Sequence, residues 1–261
     1  LFKETEKKWY DQDNTIWIAT TCSIIRNLQS HQFPHKLDAS FLSKLTQMLY
    51  QPMTHLKDLK SPQLFEASAL SPIEKQLLFE HFLCPKDFVQ TYGGEGFVLD
   101  ESLSVLATLN VDNHLKITTI DGLGQLETSW NHLLKIEQGL TDQLEFAFNP
   151  TFGFLTRNIH QCGCAFSIRI FLHLPAFLSE DSLASLYEMA QKYHVLIDSL
   201  SHEKNQFEGN LVILENAYHL GYSEESILKQ MRQMAVQLIL EEKKAREKIS
   251  HENHPSLKDQ V

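Results

Sequence analysis

The chain has 261 residues, 43% of them hydrophobic, and a formal net charge of -10. That acidity excludes nucleic acid and anionic membrane surfaces as partners, since both call for basic patches, and no apolar run nears the roughly 20 residues of a membrane span. The apolar fraction suits a sizeable globular core in one large domain or two small ones. Four cysteines without framework spacing point to reduced thiols and a cytoplasmic setting. The chain starts at Leu1 rather than Met, and its opening residues carry no signal-peptide pattern.

Residues 1–15 are charged and polar and read as a helix and then a loop. Residues 16–25 are rich in β-branched side chains and predict a strand. Over 37–59 the apolar residues Leu37, Phe41, Leu42, Leu45, Met48 and Leu49 recur at helical spacing. Ser71, Pro72, Ile73 and Glu74 form a strong helix start, with Ser as N-cap, Pro next and Glu closing a capping box; that helix stops before Pro85. Gly93 to Gly96 make a flexible turn, and no Walker spacing follows it. Residues 97–109 and 115–120 predict a hairpin with its tip at 110–114. Helices are expected over 123–143 and 178–193, the second opened by Ser179, Glu180 and Asp181. A long helix over 223–249 starts at Ser223, with Glu241 and Glu242 on a solvated face. The last dozen residues read as disordered, so one domain is expected over 1–249 and a tail over 250–261.

The most informative stretch is 146–175. Alternating aromatics lead into a polar loop and then into a strand whose Phe166, Ile168, Ile170 and Leu172 share one face. Ser167, Arg169, Phe171 and His173 share the other. Such a strand floors a site, or is an ordinary amphipathic strand of an antiparallel sheet. His160, Cys162 and Cys164 invite a metal reading, but zinc sites want four ligands and paired C-x2-C spacing, so no metal is expected.

The same stretch resembles the ATP:guanido phosphotransferases, the family of the phosphagen kinases and the bacterial protein-arginine kinases. The upstream F-x-x-x-x-G-F-L-T over 148–156 fits its pattern. Residues 156–170 fit the frame and length of T-[SC]-C-P-[ST]-N-[LV]-G-T-G-[LM]-R-A-S-V. Arg26, Asn27 and Leu28 match the R-N-L that ends the family's first strand, and residues 79–85 resemble E-K-H-L-I-S-P. Asn110, His114, Leu115 and Ile117 match N-E-E-D-H-[LI]-R-I. Glu203, Gly209 and Asn210 match the later R-G-x-x-G-E-G-S-E-A-x-G-N-I, and L-G-x-S-E recurs at 220–224. The resemblance covers 9–249 and implies an α+β fold, a large mostly antiparallel sheet flanked by helices.

It also implies where function would sit. His81 matches the histidine that helps hold the nucleotide; read alone, it is a helix-face histidine. Asp112 takes the place of a guanidinium-binding glutamate, beside Glu203. The phosphate-binding arginines fall on Thr21, Ser23, Lys116, Ser167 and Asp198, and the substrate-side cysteine falls on Asn158. A triphosphate must regain from cationic and backbone donors the hydration it loses, and hydroxyls replace arginine poorly. The expectation is therefore a degenerate protein-arginine kinase homologue, a pseudokinase acting through protein binding, with no cofactor. The implied partners are a cysteine-rich zinc-binding activator protein or Clp-type chaperone-protease machinery, and a dimer is possible. The competing expectation is an active Mg-ATP-dependent arginine phosphotransferase with a rearranged site on Asp112, Glu203, Lys116 and Arg169. There Arg169, about 6.6 Å along the strand from Ser167, would join Lys116, Arg157 and Lys204 in a smaller anion site.

Overall fold

The structure, a computed structural model, describes residues 15–80, 88, 91, 93–179, 182–200 and 206–251. Expectations for the helix at the N-terminus, for His81, Glu203 and Lys204, and for most of the tail fall outside those residues.

β1 (Trp17–Arg26), β2 (Gln63–Glu66), β3 (Gly96–Leu99), β4 (Val105–Leu109), β5 (Leu115–Asp121), β8 (Phe166–His173), β9 (Val195–Asp198) and β10 (Leu211–Asn216) form one sheet in the order β2-β3-β4-β5-β1-β8-β10-β9. Every pairing in it is antiparallel. β6 (Phe148–Asn149) and β7 (Gly153–Phe154) make a separate two-stranded ribbon. The register follows from hydrophobic alternation. Val98, Ala107, Ile117, Ile24 and Phe166 are paired in turn across five strands and are all buried on one face. A slip of one residue would turn the whole row to the other side.

The helices are α1 (Ala39–Met53), α2 (Pro72–Glu80), α3 (Leu126–Thr141), α4 (Pro175–Ser179), α5 (Leu183–Tyr193) and α6 (Glu224–His251). α3 lies on β1 and β5, and α6 lies on β8, β10 and β9. Leu133, Ile136 and Leu140 of α3 and Met231, Met234 and Leu238 of α6 close the main core. A smaller cluster of Ala67, Phe88, Phe97, Leu99 and Leu106 covers the opposite face at the β2–β4 end.

Several expected boundaries are corrected. The predicted hairpin over 97–120 is a three-strand meander, broken because the Asp100 carboxylate accepts from the backbone N–H of Ser104 (3.1 Å) and Val105 (3.0 Å). α1 is shorter than 37–59: Asp38 caps it through the Phe41 N–H. α3 starts only at Leu126, because Asp121 accepts from the N–H groups of Leu123 and Gln125. The helix expected over 178–193 is two helices, α4 and α5, and α6 runs on to His251, past the predicted end. Glu242 is not on a solvated face. It is fully buried, accepts from the N–H groups of Ala176 (3.3 Å) and Phe177 (2.7 Å) and pairs with Arg246 at 2.6 Å. A carboxylate from α6 thus satisfies the orphan donors of α4. The capping box at Ser71 forms as expected, with the Ser71 N–H on Glu74 at 2.8 Å and the Glu74 N–H on Ser71 Oγ at 3.3 Å.

Candidate functional site: the polar sheet face and its end

The face of the sheet away from the main core carries most of the residues singled out in the sequence. Register brings Thr21 opposite Arg169 and Ser23 opposite Ser167, while Thr118 stands opposite Ser23 on β5. Lys116 is one pleat along from Thr118 on the same face. Asp198 faces the same way on the edge strand β9, opposite Ile213, which is opposite Phe171. It therefore stands two strands, about 10 Å, from β8. The Ser23 and Thr118 hydroxyls bond each other at 2.9 Å.

The arginine on this face is already matched. Arg169 Nε donates to Glu215 at 2.9 Å, directly across the β8–β10 pairing. Asp112, on the loop at the sheet's end, holds the Arg157 guanidinium in an exposed ion pair. The cation that would have joined an anion site and the carboxylate that would have bound a guanidinium are thus engaged within the chain. Sequence reading missed Glu215 because β10 was not assigned, and only a strand register makes it Arg169's neighbour.

At the same end of the sheet a second constellation is buried. Arg26, 2% exposed, donates to Glu137 (Nε, 2.6 Å), to the Ile25 carbonyl (2.7 Å) and to the Cys164 carbonyl (3.2 Å). Its guanidinium carbon lies 3.5 Å from the centre of the Phe154 ring. Burial lowers its pKa and Glu137 opposes that. Asn27 bonds Asn113 (2.8 Å) and the Leu155 carbonyl (2.9 Å). The His114 Nδ1 accepts from the Leu28 N–H at 3.1 Å, so its Nε2 donates to the Gln32 carbonyl at 3.0 Å. The R-N-L and N-x-x-x-H residues therefore pin the β4–β5 tip and the 146–164 loop to the end of β1. Gly153 and Gly163 let two backbones meet there: a Cβ on Gly153 would lie 2.4 Å from the Gly163 carbonyl.

Among the described residues no three of His, Cys, Asp and Glu converge to hold a metal ion. Cys162 contacts Thr156, and Cys164 contacts the His219 carbonyl. Burial raises the Cys164 thiol to about 11 and the Cys22 thiol to about 12, far from thiolate reactivity. No helix among the described residues is long and apolar enough to cross a membrane.

An eight-stranded antiparallel sheet with helices over one face and a polar opposite face defines an α+β domain of the guanidino-kinase kind. The profile of the ATP:guanido phosphotransferase C-terminal catalytic domain matches residues 40–245, and the chain belongs to that family. A protein-arginine kinase of Chlamydia pneumoniae is 31% identical over 256 residues, which is 98% of this chain and 71% of that protein. One of Pelotomaculum thermopropionicum is 26% identical, over 97% of this chain and 73% of its own length. Among solved structures, the duplicated taurocyamine kinase from Schistosoma mansoni with bound transition state analog components superposes with a TM-score of 0.77 at 19% identity, over 88% of this chain and 33% of that one. Lombricine kinase does so with a TM-score of 0.75 at 13% identity, over 87% and 66%. These two similarities carry the fold alone.

Proposed function

We propose that this chain is a degenerate protein-arginine kinase homologue, a cytoplasmic pseudokinase that acts by binding protein. One observation carries the reading. The positions that the family resemblance assigns to phosphate-binding arginines hold Thr21, Ser23, Ser167 and Asp198, and the arginine that does lie on that face, Arg169, is spent on Glu215. Phosphoryl transfer from ATP works by positioning and charge neutralisation, and each such contact is worth about 2 to 4 kcal/mol. Paired hydroxyls and an added carboxylate at Asp198 do not supply that, so the donor set does not fit a nucleoside triphosphate. Lys116 keeps a charge without the forked geometry of arginine.

Retention of the packed sheet alongside this loss supports a binding role. The partners proposed for it are a cysteine-rich zinc-binding activator protein or Clp-type chaperone machinery. The other reading, an active Mg-ATP-dependent arginine phosphotransferase, draws support from the names of the relatives. It would have to break the Asp112–Arg157 and Arg169–Glu215 pairs before either carboxylate or cation could serve.

Calorimetric titration with Mg-ATP separates the two. No heat of binding up to millimolar nucleotide is expected, and a micromolar dissociation constant overturns the pseudokinase reading. Crosslinking from the native cytoplasm should return a stable protein partner. No partner, and no effect of the Asp112→Ala, Glu203→Ala double variant on capture, would remove the binding role as well.

A further inference from the structure

Next to the Arg26 constellation lies a pocket of about 290 Å³, remote in character from the sheet face. Phe148, Phe154, Tyr222 and Leu220 supply its apolar walls, and Glu224, His219 and Cys164 are its titratable lining. Phe148 is 54% exposed and meets Phe154 edge-on at 5.3 Å between ring centres. The aromatic wall continues outward, because Tyr222 stacks on Tyr218 at 5.7 Å and 12° and His194 stands edge-on to both. Exposed rings gathered around a concavity are an unusual surface for a chain to leave open unless something covers it.

The charge of the surroundings says what covers it. The Glu224 carboxylate, half-buried in the first turn of α6, has no hydrogen-bond or ion-pair partner among the described residues. Its neighbour Glu225 is exposed and complements the helix N-terminus without it. Behind the wall, Arg26 is paired with Glu137 and is also attracted by Glu224, so one guanidinium stands against two carboxylates. The Cys164 thiol is neutral, its pKa held near 11 by burial, and burial lowers the pKa of His219 against the bond its Nδ1–H donates to the Phe166 carbonyl at 2.9 Å. One negative charge is left over. An adjoining groove, which shares Phe154, adds Asp142 and Glu145. The fold itself shows what one ring in this cluster accepts, since Phe154 already holds the Arg26 guanidinium at 3.5 Å.

We infer that this pocket is a docking site for an arginine side chain of a basic partner segment, its guanidinium flat against Phe148, Phe154 or Tyr222 and its charge on Glu224. The inference rests on the protein-binding reading above and gives the partner a chemical character. The guanidinium is favoured over ammonium because it is planar and less strongly hydrated, so it stacks on rings at a smaller desolvation cost.

The test is a titration of the isotope-labelled protein with N-acetylarginine amide, followed by amide NMR, with the lysine and citrulline counterparts as separate arms. The expected result is saturable shifts confined to residues 153–154 and 219–224, weaker binding of the lysine compound and none of the neutral citrulline compound. Glu224→Gln should weaken arginine binding about tenfold, and Tyr222→Leu should also weaken it. Amide spectra otherwise like those of the parent establish that each variant is folded. Absence of shifts, shifts at 110–116 instead, equal binding of all three compounds, or an unchanged affinity in a folded Glu224→Gln variant overturns the inference. If the arginine compound fails while native protein partners are still captured, only the pocket assignment falls and the protein-binding role stands.

Discussion

His114 has no exposed surface and uses both ring nitrogens, one accepting from the chain end of β1 and one donating to the Gln32 carbonyl. Burial pushes its pKa down from 6.5 to about 4; the bond to Gln32 works against this, and His31 adds to it. The unfolded chain therefore binds the proton more readily, and stability present at neutral pH is lost as pH falls from about 6.5 towards 4, by on the order of 2 kcal/mol. Burial moves His219 in the same direction. Urea unfolding at pH 7.5, 6 and 5 should show the decline, and His114→Asn should be less stable at pH 7.5 with a shallower dependence; an unchanged slope would count against this account. Arg26 poses the opposite problem, a permanent charge without water. Arg26→Leu alone leaves Glu137 uncompensated and should cost about 3 to 5 kcal/mol, while the Arg26→Leu, Glu137→Leu pair should recover much of that loss.

Among the elements, those with local signals were legible and those made by distant partners were not. β8 was readable because one face is buried and the other is not, so its alternation survives in the sequence. α2 was readable because its cap lies within four residues. Removing half of it with Glu74→Ala should lower the urea midpoint slightly, since the Ser71 N–H and hydroxyl lose the carboxylate they donate to, while the backbone N–H of residue 74 keeps its bond to Ser71 Oγ. The break between α4 and α5 had no local signal, because the donors at the start of α4 are satisfied by Glu242 from the far end of the chain. Glu242→Ala strips the buried N–H groups of Ala176 and Phe177 and leaves Arg246 alone. A loss of about 3 kcal/mol is expected, seen as a lower urea midpoint, and hydrogen exchange should speed up first at residues 175–179.

For the molecule as a whole, the family frame could be read from short motifs in the right order, and the sheet and helices follow that frame. The polar face was legible only as a set of residue types. Its neutralised state depends on register and loop approach, which set Glu215 beside Arg169 and Arg157 beside Asp112. Restoring one charge should not restore chemistry. Ser167→Arg would stand opposite Ser23 and two positions from a paired Arg169, and groups that act as a unit contribute non-additively. Mass spectrometry of proteins incubated with Ser167→Arg and Mg-ATP should show no phosphoarginine above background; a clear signal would mean that the site is one substitution from activity.

β1 is central in the sheet, and both of its neighbours arrive late: β5 follows α1, β2, α2, β3 and β4, and β8 comes later still. As the chain leaves the ribosome, a strand rich in Ile, Thr and Trp waits with both hydrogen-bonding edges open until its partners are made. Loop closure on that scale slows folding, and unpaired apolar strands are the segments that associate with one another. The topology that places the polar face at the middle of the sheet is therefore expected to slow folding, and to leave β1 exposed to association, until β8 has emerged.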